Sequence, residues 1–373
     1  MKGRLWIGLL SLGILLGLVT AFRVFTTGFV LYAKTNILVW TLPVAAYIFF
    51  SLTSAGLAFV SSIPLVFNIK RYEAIEKRIV FLEIAVLCAG FICLIFHLGS
   101  PQNVIYFLLS PNLASPLWWL AMLYGVYLVV LLASFWKIHT AHASKALGTL
   151  VFLIAIGTST ALGWLVGMTD ARPALSPSFL PVYFPVTAFA CGLAATLLFS
   201  QASSYFSGAT LSAERSALFN EIAKVFGVAV GITLILFIWR SITGAISSSV
   251  VEFGAFRHMM GSLSYQTELW LGLVVPFILM VLPSVRITTW GKMVASTSLL
   301  VGMLAGRLEL VLTGEIMPMG PMGEGLPEFV GYFPTISELL VAIFALAVML
   351  LLYTLGDRHL NLEGTQEKSE AGT

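Results

Sequence analysis

Residues 81–96 read FLEIAVLCAGFICLIF, and residues 97–112 continue HLGSPQNVIYFLLSPN. The first stretch is apolar apart from Glu83, and with residues 78–80 it is long enough to cross a ~30 Å hydrocarbon core. The second changes character at once. A histidine, two Ser-Pro steps and several amides surround one further apolar turn. A chain that leaves a bilayer usually ends in charge or a plain turn, so this exit gives both the fold class and a place to look for function.

The remaining sequence repeats the apolar pattern. Hydrophobic residues make up 59% and charged residues 10% of 373, with a mean hydropathy of +0.98. A soluble domain carries about 25% charge, so this sequence cannot cover itself with polar surface. Spans are expected near 4–22, 37–66, 78–97, 117–137, 146–168, 181–201, 217–240, 267–285, 289–313 and 334–356. They form one all-α integral-membrane domain over residues 1–356, followed by a polar tail, 357–373, whose NLEGTQEKSEAGT end reads as disordered. The net charge of +3 argues for neither nucleic acid nor an acidic partner.

Lysine and arginine set the orientation. With the N-terminus inside, twelve fall on inner segments (Lys2, Arg4, Lys70, Arg71, Lys77, Arg78, Lys137, Lys145, Arg215, Arg286, Arg358, Lys368) and five on outer ones (Arg23, Lys34, Arg172, Arg240, Arg257). Both termini are therefore expected in the cytoplasm, and residues 97–112 on the outer side. Lys2 and Arg4 followed by an apolar run and Val19-Thr20-Ala21 have the form of a signal peptide. The charge bias works with that helix retained, which favours an uncleaved anchor. Cys88, Cys93 and Cys191 lie in apolar runs without a Cys-x-x-Cys spacing and read as packing residues.

A membrane haem needs two axial ligands, normally histidines, between helices. Of five histidines only His97 ends a span, so neither haem nor an iron–sulfur cluster is expected, and no metal-ligand spacing is present. Ser100-Pro101 can start a short helix, with Ser as N-cap and Pro at the first position, and Ser110-Pro111 stops it. Pro116-Leu117-Trp118-Trp119 then opens the next span with aromatics at headgroup depth. His97, Gln102, Asn103, Tyr106, Asn112 and Ser115 thus gather beside an apolar floor. Quinone chemistry asks for that combination: a lipid-like wall, a donor for each carbonyl, and a group that titrates near neutral pH at the edge of water. His97 has a blander role open to it as well, capping the last carbonyls of its helix.

Charge inside a span is costly and often functional. Arg307 and Glu309 sit a turn or two from an outer end and can either snorkel outward or point inward. Arg307 is then the better candidate for orienting a ligand. Glu221 and Lys224, spaced i,i+3, can pair. Glu83 lacks such a partner and is a candidate for a proton route, as is Glu309. Thr335-Ile-Ser-Glu338 reads as a capping box. Tyr47 lies mid-span and needs a partner, and Ser54-Ala55-Gly56 after it suit close helix packing.

HLGSPQNVIYFLLSPNLASPLWW resembles the segment after the third core helix of the NrfD-like family, the membrane subunits of polysulfide reductase and its relatives. TDARPALSPSFLPVYFPVTAFACGLA resembles the family's later outer loop and following helix, and LWLGLVVPFILM, LVGMLAGRLELVLTG and GYFPTISELLVAI resemble the last helices of its ten-helix subgroup, which includes the membrane subunits of some periplasmic hydrogenases. The resemblance implies two four-helix bundles plus extra helices, and menaquinone or ubiquinone bound near the periplasmic face of the cell inner membrane. It also implies electron exchange with an iron–sulfur subunit docked there, which connects to a catalytic subunit such as a molybdenum enzyme. It places His97 at the family's Asp/His position, Tyr47 at a polar position of the second span and Arg307 at the family's late arginine. Ser100 stands where many members have arginine, a departure that removes a ligand at that point. The protein would be a quinone-reactive subunit with no redox cofactor of its own. A secondary transporter and a passive anchor are the rival readings. The transporter is disfavoured because the polar features gather at the outer face, away from the midplane.

Overall fold

The computed structural model describes residues 2–168, 178–207, 212–247, 250–318 and 325–362. Most of the Pro-rich loop that begins at Thr169 and the tail beyond Leu362 lie outside the described residues. Among those described, ten helices are long and apolar enough to cross a membrane, and no strand is present. They are α1 Lys2–Thr27, α2 Leu42–Ser61, α3 Glu73–His97, α4 Pro116–His139 and α5 Lys145–Gly167. α6 Leu180–Ser207, α7 Ala213–Ala245, α8 Leu263–Val281, α9 Thr289–Thr313 and α10 Ile336–His359 complete the set. The protein is an all-α, multi-pass membrane protein.

Polar residues at the helix starts explain where many of them begin. Ser115, Ser144, Ser212, Thr288 and Thr335 each accept a hydrogen bond from a backbone N–H in the first turn of α4, α5, α7, α9 and α10. Such caps satisfy donors that a helix start otherwise leaves open. At α10 the expected capping box is complete, with the Glu338 carboxylate accepting from the Thr335 N–H at 2.8 Å. α2 starts at Leu42, with Pro43 in its first turn, where the missing N–H leaves no bond unmade.

α2, α3, α4 and α5 pack in a closed ring of four, and α6, α7, α8 and α9 in a second. The rings meet through α2, α5, α6 and α9, while α1 and α10 pack together outside, α10 also lying against α3. α2 is the axis of the molecule. Its membrane-crossing window is 100% buried, against 22% for α1, so α1 faces lipid and α2 faces only protein. A Cβ on Gly56 would collide with the Ala188 carbonyl of α6, and one on Gly192 with the Gly56 backbone. Backbones therefore touch here, as small residues permit.

α8 is not uniform. Thr267–Val274 forms a π-helix between two α-helical pieces. Pro276 follows, and proline has no N–H to donate. In the five-residue register its missing donor belongs to the Leu271 carbonyl, and the Ser298 hydroxyl of α9 donates to that carbonyl instead. The wide turn thus has its hydrogen-bond deficit met by the neighbouring helix. Gly272 and Gly302 let α8 and α9 approach at this level, where either Cβ would meet the other backbone.

Successive spans alternate in direction. His97, the segment after it, and the ends of α5, α7 and α9 consequently share one end of the bundle, called the His97 end below.

Candidate functional site

The segment after α3 folds as expected in outline and differs in detail. Pro101–Ile105 is a 3-10 turn and Tyr106–Leu109 one α-helical turn. Ser100 stands at the N-cap position without a side-chain cap bond, correcting that expectation. Gln102, Asn103, Tyr106 and Asn112 are exposed. Asn112 Oδ1 accepts from Ala114 N at 3.2 Å and Ser115 Oγ from Trp118 N, so both amide and hydroxyl are used in shaping the entry to α4. Trp118 Nε1 donates to the Phe107 carbonyl at 2.6 Å, pinning the short helix to α4. Asn112, Ser115 and Trp118 thus spend their polar groups on the local fold of this segment.

His97 is placed differently. Lys34, from the segment between α1 and α2, brings its Nζ to 3.1 Å from His97 Nδ1 and lies 3.8 Å above the Phe29 ring. An ammonium has donors and no acceptor. Nδ1 must accept, which puts the ring proton on Nε2. Burial lowers the Lys34 pKa to about 8, with Glu338 and Glu315 pulling it back up. Both carboxylates are anchored: Glu315 takes the Trp40 N–H and Glu338 closes the α10 cap. The Tyr332 hydroxyl donates to Glu338 and accepts from the Leu42 N–H. Lys34 counts in the sequence only as one outer charge. Its partner lies 63 residues away, and no local pattern marks the pair.

From this end a polar seam follows α2 inward. Tyr47 is buried beside Tyr124, ring centroids 6.3 Å apart. Both hydroxyls approach Ser51, whose Oγ has no partner within hydrogen-bond distance. Tyr127 donates to Glu83 Oε1 at 2.7 Å, Ser61 donates to Glu83 Oε2 at 3.2 Å, and Ser54 Oγ lies 3.3 Å from the Tyr127 hydroxyl. Glu83, 0% exposed, thus finds its partners on α2 and α4, where its own helix offered none.

The second ring holds a charge cluster. Arg240 Nη2 lies 3.2 Å from Glu268 Oε2 and 2.9 Å from Glu309 Oε2. Tyr183 donates to Glu268 Oε1 at 3.0 Å, and Thr313 to Glu309 Oε1 at 2.9 Å. Arg307 donates to Thr187 Oγ1 and lies 4.9 Å from the centre of the Phe184 ring. Arg307 and Glu309 are each 1% exposed, so neither snorkels. Arg240 is a second correction. Placed by its sequence at an outer boundary, it sits inside α7, which runs on to Ala245. Glu268, which no sequence pattern singles out, enters through the π-helix, and a Cβ on Gly306 would collide with its carboxylate. Glu221 also differs from expectation, pairing with Arg71 rather than Lys224.

The geometry therefore offers two polar centres at the His97 end of two four-helix rings. Residues 30–319 match the family model described as polysulphide reductase, NrfD. The protein belongs to the NrfD family. Its matched residues take in Lys34, His97 and both rings, and leave α1 and α10 outside. Among NrfD relatives, it is 26% identical to a putative dimethyl sulfoxide reductase membrane subunit of Halobacterium salinarum, over 97% of this protein and 92% of that one. It is 23% identical to a selenate reductase subunit of Mesobacillus selenatarsenatis, over 85% and 84% respectively. It is 25% identical to a polysulfide reductase subunit of Wolinella succinogenes, over 75% and 95%.

Proposed function

We propose that this NrfD-family protein is the membrane subunit of a respiratory reductase complex and exchanges electrons with a membrane quinone at the His97 end. The paired Lys34 and His97 carry that reading. A quinone carbonyl needs a hydrogen-bond donor in a partly dry setting, and we assign that role to His97, whose Nδ1 meets a Lys34 ammonium seated over the Phe29 ring. The donor set fits the group. When bound, the quinone supplies two-electron, two-proton chemistry, and the protein's part is to hold it and move protons. His97 passes its Nε2 proton to a substrate oxygen while Nδ1 takes one from Lys34; quinol oxidation runs this in reverse. A lysine whose pKa is lowered toward neutrality is suited to giving up that proton. Gln102, Tyr106, Asn112, Ser115 and Trp118 form the wall of the same site, at the periplasmic face of an inner membrane with both termini cytoplasmic. An iron–sulfur subunit on that face, with a catalytic subunit beyond it, completes the complex.

The seam from Tyr47 past Tyr124 and Tyr127 to Glu83 supports proton movement along α2 from the opposite side. The cluster of Arg240, Glu268, Arg307 and Glu309 balances two cations against two carboxylates, and we assign it a second, electrostatic role in the same coupling.

Quenching of native tryptophan fluorescence by a quinone analogue tests the site. Wild-type protein should bind saturably, and His97→Ala or Lys34→Met should each weaken binding about tenfold or more, roughly 1.4 kcal/mol. Equal affinity in all three proteins sinks the proposal.

A further inference from the structure

At the end of the bundle opposite His97, a cleft of about 720 Å³ opens where α2, α5, α6 and α7 meet, and nothing in the redox reading uses it. Its floor is aromatic. Phe59 and Phe152 meet edge to face at 5.7 Å, Phe67 and Phe152 at 5.9 Å, and Phe189 lies 6.4 Å from Phe59. The size is in the range of ligand pockets generally, and the four phenylalanines offer no polar group that would orient a ring.

The charges are confined to the mouth, where Arg71, Glu221 and Lys224 line the cleft, and the largely buried Tyr72 adds one hydroxyl to the lining. Arg71 pairs with Glu221 at the surface, with side chains 52% and 39% exposed. Exposed pairs of this kind hold weakly. Lys224 is exposed, and Glu221 Oε2 has no hydrogen-bond partner. Two cations and one carboxylate leave a single positive charge at the lip of an apolar trough. α7 has 33 residues and is therefore about 50 Å long. It outreaches a ~30 Å core, which allows Lys224, twelve residues in, to stand at headgroup depth. This is also the end that carries most of the protein's lysine and arginine.

We propose that this cleft binds an anionic phospholipid, one acyl chain lying over the four phenylalanines and the phosphodiester held between Arg71 and Lys224. One phosphodiester charge brings the mouth to neutrality, and basic pockets between helices near a bilayer surface recognise headgroups in this way. An uncharged isoprenoid would use the floor and leave the cations unmatched.

The test is thermal unfolding of the delipidated full-length protein in detergent, titrated with phosphatidylglycerol, phosphatidylcholine or a quinone analogue. Phosphatidylglycerol should raise Tm saturably, with an apparent affinity at least about tenfold tighter than phosphatidylcholine. The double variant Arg71→Gln/Lys224→Gln, at exposed positions, should lose that preference. Glu221→Gln frees Arg71 and should tighten phosphatidylglycerol binding, whereas a purely structural salt bridge would only lower Tm. Equal response to both lipids, an unchanged preference in the double variant, or displacement of phosphatidylglycerol by the quinone analogue each overturns the proposal. The last outcome would make the cleft a quinone site.

Discussion

Lys34 is charged below about pH 8 and neutral above it, because burial brings its pKa down to that value. The charge-assisted bond to His97 Nδ1 is therefore present at neutral pH and weakens as pH rises through 8. Turnover of the assembled complex in the quinone-reducing direction, which draws on the Lys34 proton, should fall over that interval in the wild type. Lys34→Met should lower turnover at pH 7 about tenfold and flatten the profile, and a second apparent step that persists near pH 8 in the variant would show another group titrating. Because Lys34 and His97 act as a pair, the double variant His97→Ala/Lys34→Met should lose little more than either single one. Glu83 lends itself to a different measurement. Glu83→Gln keeps the size of the side chain and removes its capacity to carry a proton, so proteoliposomes should retain electron transfer and lose any accompanying proton uptake from the opposite face. Unchanged proton uptake would exclude Glu83 from the route.

Among the elements, α8 shows how a local irregularity places a distant charge. Pro276 removes a backbone donor, the helix widens to a five-residue register, and Ser298 supplies the missing donor to Leu271. Ser298→Ala leaves a buried carbonyl without a partner and should cost about 1–3 kcal/mol in an unfolding titration. Gly306→Ala forces a methyl group onto the Glu268 carboxylate and should destabilise by a similar ~1–3 kcal/mol; an unaltered midpoint would mean Glu268 has room to move aside. This region also marks the limit of what the sequence reveals. Long apolar runs record exposure to lipid directly, and cap residues such as Ser115 and Thr335 act within a turn of where they stand, so the helices can be read in order. Arg240, Glu268 and Glu309 meet only after three helices have packed. Nothing near any one of them in the sequence encodes the other two. His97 stands out in the sequence because it ends an apolar run, and Lys34 does not because it sits among other loop residues.

For the molecule as a whole, the two rings carry different kinds of polarity. The first has a seam of hydroxyls with one acid, and the second has paired ions. Removing one partner of a buried ion pair strands the other in an apolar interior, so Arg240→Met should destabilise by about 3–5 kcal/mol. The triple variant Arg240→Met/Glu268→Gln/Glu309→Gln should recover part of that loss, as thermal unfolding would register. No recovery would mean that the arginine's packing, and not its charge, holds the ring together.

α2 has one more consequence, which concerns synthesis. It is buried along its whole crossing, and its backbone at Gly56 touches α6 at Ala188 and Gly192. That partner is made about 130 residues later in the sequence. At about 5–20 residues per second the ribosome needs on the order of ten seconds to deliver it. Through that interval the serine- and threonine-bearing face of α2 stands against lipid or against a helper in the insertion machinery. The central helix of the finished protein is thus its least protected one during translation, and ribosome-bound nascent proteins halted before α6 should be the form most readily captured by membrane insertases and quality-control proteases.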